Sequence, residues 1–146
     1  MQPYLNISCA LGEGPVWEKD NRILRFVDIN KRRLHEVEPD KGPESHRVVA
    51  ELDFPIGHTA DVEGNDGMFV FGGKSGFGIF HREKGTYEYV ARYWTGDEDE
   101  ARKESVMRAN DGGIDARGRY WIGVMNDPLI EAPGPVGEWT SPRAQR

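Results

Sequence analysis

The chain has 146 residues, 37% of them hydrophobic and 30% charged, and a formal net charge of −6. That length suits one domain with a core of its own. The acidic balance and the dispersed lysines and arginines argue against a basic nucleic-acid face and against adhesion to an anionic membrane surface.

The opening "MQPYLNISCALGEG" has no basic start and no continuous apolar stretch, so a secretory signal is not expected. Cys9 is the only cysteine, which rules out an internal disulfide and fits a reducing compartment. It reads as a small half-buried residue, because no His or Asn partner stands at a fixed spacing to make it a nucleophile. No apolar run approaches the roughly 20 residues that cross a bilayer, and the expected location is cytoplasmic.

The 18 glycines and 9 prolines favour short elements joined by turns. From Pro15, "PVWEKDNRILRFVDINKRRLHEVEP" reads as a short strand ending at Glu18, a turn "KDN" and an alternating strand "ILRFVDI". "RLHEVEP" and "HRVVAEL" follow as further strands, joined by "PDKG". From Ala60 the layout returns: "ADVEG", a turn at "NDG", the strand "MFVFGG", then "GFGIFHRE" and "TYEYVARYW" joined by "EKG". "DEDEARKESVM" is the helical candidate, with "TGDEDEARKE" a solvated loop or helix start. From Gly112, "GGIDARGRYWIGVM" begins the layout a third time.

Asn and Gly tolerate the left-handed backbone of tight hairpins, and branched or aromatic residues suit the pleated strands that follow. With tips placed at Asn21, Gly67 and Gly118, the unit recurs roughly every 45–50 residues, the period of β-propeller blades. The alternative is a β-sandwich with chance spacing. In either case the chain is all-β. After "IGVM" the pattern breaks into the Pro/Gly-rich "NDPLIEAPGPVGEW", so residues 1–138 are expected to form a partial propeller of about two and a half blades. Residues 139–146 are an unpatterned tail. Unpaired blade edges would promote self-association.

Propeller loops bring side chains from different blades to one channel. Glu13, between two glycines, offers a carboxylate suited to a hard cation. Arg108, Asn110 and Asp111 precede the third unit, where an amide oxygen could meet a metal or a hydroxyl and an arginine could orient an oxyanion. The bland alternatives are a solvated glutamate and a capped turn. "DVEGNDG" lacks the register of a calcium loop and is a hairpin turn; "GGKSGFG" lacks the spacing of a phosphate loop. His35, His46, His58 and His81 show no metal spacing, and only "PIGHTAD", with His58, lies in a turn that could face a channel.

Together, "LGEGPVWEKDNRILRFVDINKRRLHEVEP" and "RANDGGIDARGRYWIGVM" resemble the gluconolactonase/regucalcin (senescence marker protein) family over residues 8 to 138. The resemblance implies the N-terminal half of a six-bladed propeller that binds a divalent cation (calcium, zinc or manganese) and hydrolyses small lactones. It implies Glu13 as a metal ligand, with Arg108 and Asn110 as substrate contacts. Asp127 is a looser match to an acidic substrate contact, and Asp111 with Gly112 resemble the turn that presents the site. In that family the remaining ligands and the general base come from later blades. The isolated chain is therefore expected to be inactive or a fragment; a non-catalytic calcium-binding or scaffold role is the alternative.

Overall fold

A computed structural model describes residues 2–96 and 98–130. Among the described residues, three separate antiparallel sheets are formed. The first contains β1 (Gly12–Glu18), β2 (Ile23–Asp28), β3 (Arg33–Val37) and β4 (Arg47–Glu51), hydrogen-bonded in chain order. The second repeats this meander with β5 (His58–Val62), β6 (Asn65–Gly72), β7 (Gly76–His81) and β8 (Thr86–Arg92). The third pairs β9 (Met107–Ile114) with β10 (Tyr120–Asn126). The first strands β1, β5 and β9 lie against one another. This is not the two facing sheets of a sandwich.

The turns follow from backbone chemistry, with one correction. The first and third hairpins turn where expected, through Arg22 (φ 53°) and Gly118 (φ 74°). The second turns at Gly64 (φ 71°), not at Gly67. Asn65, Asp66 and Gly67 belong to β6. Asn65 Oδ1 accepts from the Gly67 amide at 3.1 Å, so local side-chain bonding gives "NDG" the look of a turn although the chain has already reversed. The "PDKG" link is a pair of short 3-10 turns, Pro39–Lys41 and Pro43–Ser45.

The helix α1 (Glu98–Val106) buries no residue and carries Glu98, Asp99 and Glu100 in its first turn. The Thr95 and Gly96 amides donate to Glu100 Oε2 at 2.8 and 2.7 Å, which satisfies donors at its start. Among the described residues, no helix is long and apolar enough to cross a membrane.

Packing between the first two sheets uses alternating side chains on facing surfaces. Val27, Ile29 and Leu34 meet Phe69, Phe71 and Phe80, and the link between the sheets adds Phe54 and Ile56. Burying each such side chain contributes about 1.5–3 kcal/mol.

Beside this apolar core lies a charged one. Arg25 is fully buried and pairs with the buried Glu18, donates to Thr59 Oγ1 at 2.9 Å and reaches Asp61 at 2.8 Å. Arg82, from the second sheet, bonds both Glu18 and Glu36 of the first. The guanidinium of Arg25 sits 4.3 Å from the ring centre of Phe69. Desolvated charges are tolerated there because each has several partners; an unpaired one would be costly.

Candidate functional site

Glycines let the three inner strands converge. A Cβ on Gly57, just before β5, would lie 2.1 Å from the Asn110 carbonyl oxygen and 2.6 Å from the Ala109 carbonyl carbon. A Cβ on Gly14 would lie 3.4 Å from His58 Cδ2. Gly14 also takes φ 56°, and the ladder between β1 and β2 shifts register between Glu13 and Val16. That bulge re-aims the strand end carrying Glu13, whose side chain is exposed.

Arg108, Asn110 and Asp111 were expected in a loop; the structure places them inside β9. The reason is the pairing partner: β10 ladders against this stretch, with Met125 opposite Arg108 and Val124 opposite Ala109. A register shift between Ile122 and Val124 then supplies the irregularity that a loop would have supplied. Asp111 Oδ1 accepts from the Gly112 amide at 2.7 Å, a local side-chain bond within the strand.

Three of the four site residues read from the sequence lie together, two of them joined by a hydrogen bond. Arg108 is buried, and its Nη1 donates to the Ala109 carbonyl at 2.8 Å and to Asn110 Oδ1 at 3.0 Å. Arg108 Nε lies 4.0 Å from Asp127 Oδ1, beyond hydrogen-bond reach, and has no partner among the described residues. Asp127 is also buried, and its Oδ1 accepts from the Leu129 amide at 3.0 Å. Burial pushes the Arg108 guanidinium below its ordinary value, while the charges of Asp127 and Glu13 hold it up. Glu13 is thus within electrostatic reach of Arg108 without touching it.

His58 stands at the first position of β5 and not in a turn. Tyr120 Oη donates to the His58 carbonyl at 2.9 Å and lies 3.2 Å from His58 Nδ1. Because the phenol spends its one hydrogen on the carbonyl, Nδ1 is the donor of the second bond, and Nε2 keeps the lone pair. Burial lowers the His58 pKa, opposed by Asp111. A neutral imidazole with an available Nε2 can accept a proton. The spacing of the histidines gave no signal for this, because the partner Tyr120 is 62 residues away.

Glu13 and the Asn110 amide oxygen are hard oxygen donors, in kind what calcium or manganese prefers. They are a partial set, since such cations take about six or more oxygens.

Residues 11–140 match the SMP-30/gluconolactonase/LRE-like region. The pentonolactonase XacC of Haloferax volcanii is 32% identical over 123 residues, covering 83% of this chain and 36% of that protein. The 6-deoxy-6-sulfogluconolactonase of Pseudomonas putida is 30% identical over 119 residues, covering 82% of this chain and 37% of its own. A crystal structure of the calcium-binding protein regucalcin from Agrobacterium tumefaciens superposes with a TM-score of 0.68 at 24% identity, covering 80% of this chain and 35% of that one. The chain spans about a third of the length of these relatives.

Proposed function

The chain belongs to the SMP-30/gluconolactonase/LRE-like family, and on that premise we propose that it carries the substrate-side part of a metal-dependent hydrolase of small lactones. In this reading its sheets are the first two blades and the inner half of a third in a six-bladed propeller. The observation that carries the proposal is the convergence of β1, β5 and β9, which sets the buried, incompletely paired Arg108 beside Asn110 and Asp127 and within the field of Glu13.

Glu13 and Asn110 would hold a divalent cation, which when bound supplies Lewis acidity toward a lactone carbonyl. The chain's own residues supply orientation. Arg108 has an unspent Nε for a ring or carboxylate oxygen, and its bond to Asn110 fixes which way that amide presents its oxygen. Asp127 accepts from a sugar hydroxyl. His58 Nε2, free of the Tyr120 bond, is a base that β5 offers. Glu13 and Asn110 are only a partial ligand set, so the 146-residue chain is proposed to bind metal weakly and to turn over slowly.

Calorimetric titration with calcium, manganese and zinc, alongside a lactone-hydrolysis assay, tests this. Expected is binding with a dissociation constant of about 1 mM for calcium, lost in Glu13→Gln, with little or no turnover. Vigorous turnover lost in Glu13→Gln would overturn the incomplete-site part. Metal binding indifferent to Glu13 would overturn the assignment itself. The second reading is a non-catalytic calcium binder, favoured by the all-oxygen donor pair; it predicts calcium binding unaffected by Arg108→Met and no affinity for lactones.

A further inference from the structure

Where the strand β1 begins, a second group of ligand-type side chains meets, and Glu13 is not among them. One ligand atom each from Cys9, Asp28 and His35 lie within 4.8 Å of one another. The three come from the segment before β1, the end of β2 and the middle of β3, so the topology alone assembles them. Asp28 and His35 are buried and Cys9 is partly buried.

Part of this cluster has a structural task. Asp28 accepts backbone amides from Ala10 at 2.8 Å and from Leu11 and Lys31 at 3.1 Å, tying the N-terminal segment to the first sheet. Burial, then the neighbouring Asp28 carboxylate, pushes the Cys9 thiol pKa up. His35 stacks on Phe26 with ring centres 4.8 Å apart, but that packing leaves one ring nitrogen unaccounted for. Its ring is 5% exposed, its Nδ1 lies 2.9 Å from His46 Nε2, and its Nε2 is buried without a hydrogen-bond partner.

The bond to His46 settles the chemistry of that orphan. If Nδ1–H donates to His46, Nε2 carries a lone pair and no hydrogen. The opposite tautomer would bury an unsatisfied N–H, which costs about 1–3 kcal/mol. A histidine that donates one nitrogen to a fixed acceptor and presents the other bare has the arrangement of a metal ligand with its supporting shell.

We propose that Cys9, Asp28 and His35 form a site for a borderline divalent cation of the zinc class, with sulfur, oxygen and nitrogen donors and an open fourth position for water. One thiolate, one imidazole and one carboxylate are the donor types zinc takes, and the thiolate disfavours calcium and magnesium. Tetrahedral bonds of about 2.0–2.3 Å put donor atoms about 3.4–3.7 Å apart. The trio must therefore contract by roughly 1 Å. Cys9 can supply that movement, since it lies in the irregular segment before β1. Binding forms the metal–sulfur bond and releases the thiol proton to solvent; no electrons are exchanged. The site is independent of the lactonase reading.

Cobalt(II) added to the 146-residue chain is the probe, because a cobalt–thiolate bond gives a near-ultraviolet charge-transfer band and Cys9 is the only thiol. Expected are saturation at one equivalent of the band, about one proton released per metal, and displacement of the band by zinc. Cys9→Ser should abolish the band, and His35→Asn should weaken binding more than tenfold. His46→Gln should weaken it roughly tenfold through the lost support. Glu13→Gln should leave the band unchanged. In the unmodified chain, zinc should also slow alkylation of Cys9 by iodoacetamide, a readout that needs no variant. A folded chain that shows neither band nor protection would overturn the proposal, as would a band that survives His35→Asn at full affinity.

Discussion

Gly57→Ala is the sharpest test of how the inner strands hold the site. The added methyl would sit 2.1 Å from the Asn110 carbonyl oxygen and 2.6 Å from both the Ala109 carbonyl carbon and the Asn110 nitrogen. These are backbone atoms of β9, which is itself laddered to β10, so no side chain can rotate away. Relief requires the β5 and β9 backbones to separate by about 1 Å, a strain at the upper end of the 1–3 kcal/mol typical of overpacked sites. About 3 kcal/mol against a urea dependence near 2 kcal/mol per molar moves the unfolding midpoint down by roughly 1.5 M. Gly113→Ala is the control on the same strand, because a Cβ there meets nothing within 4 Å. It should be neutral, or stabilise by about 0.4–1 kcal/mol through the unfolded chain. Urea unfolding followed by tryptophan fluorescence measures both. A Gly57→Ala midpoint equal to that of the parent would refute the close approach of β5 and β9.

Arg25→Met should cost about 3–5 kcal/mol, because Glu18 stays buried with Arg82 as its remaining cation; Arg22→Ala, which breaks an exposed pair with Asp40, should leave the urea midpoint unchanged. Asp115 is held well below its ordinary 3.8 by hydrogen bonds from Trp121, then from the Arg119 backbone and side chain and the Arg117 amide. Its folded pKa is depressed, so its contribution is full above the ordinary value and fades as pH falls toward the folded one. Stability measured from about pH 5 downward should therefore fall less steeply in Asp115→Asn than in the parent. The β9–β10 sheet exposes Ile114 and Trp121 by 49% and 42%, and sedimentation of the isolated chain is expected to show concentration-dependent association; a monomer at every concentration would count against it. Arg108→Met should unfold at a urea midpoint lower by roughly 0.5–1.5 M, because Asn110 Oδ1 and Asp127 lose their cation.

The strands were legible because their signal is local. "ILRFVDI", "MFVFGG" and "RYWIGVM" are branched or aromatic runs next to a turn, and β2, β6 and β10 stand there. Glu13, Arg108, Asn110 and Asp127 were named through a family likeness, which says nothing of how they are held. What escaped was set by contacts across long separations. Nothing local marks Arg25 and Arg82 as buried until the two sheets face each other, and Arg82 then reaches a glutamate 64 residues away. The Cys9, Asp28 and His35 group falls in three segments with no fixed spacing. The second turn was misplaced by three residues because Asn65 bonds locally as a turn residue does while extending a strand.

The polar run ahead of the last strand now has a physical account. "RAND" sits in a strand, so its side chains alternate: Arg108 is turned inward and buried, and Asn110 on the same face is only partly covered. Full burial of a guanidinium is stable when its five donors are spent, and here they are not. Two bonds go to Ala109 and Asn110, Asp127 stops 4.0 Å short, and Nε is left over. In the Arg25 cluster, every charge found a partner in the neighbouring sheet, and that cluster is a structural joint. Arg108 differs in that its nearest carboxylates, Asp127 and Glu13, influence it through space without closing on it. A buried cation with unspent donors beside a partly covered amide gains most from an incoming oxygen-rich anion or polarised carbonyl. That difference between two buried arginines sets the incompletely paired β9 apart from β2, whose arginine joins two sheets.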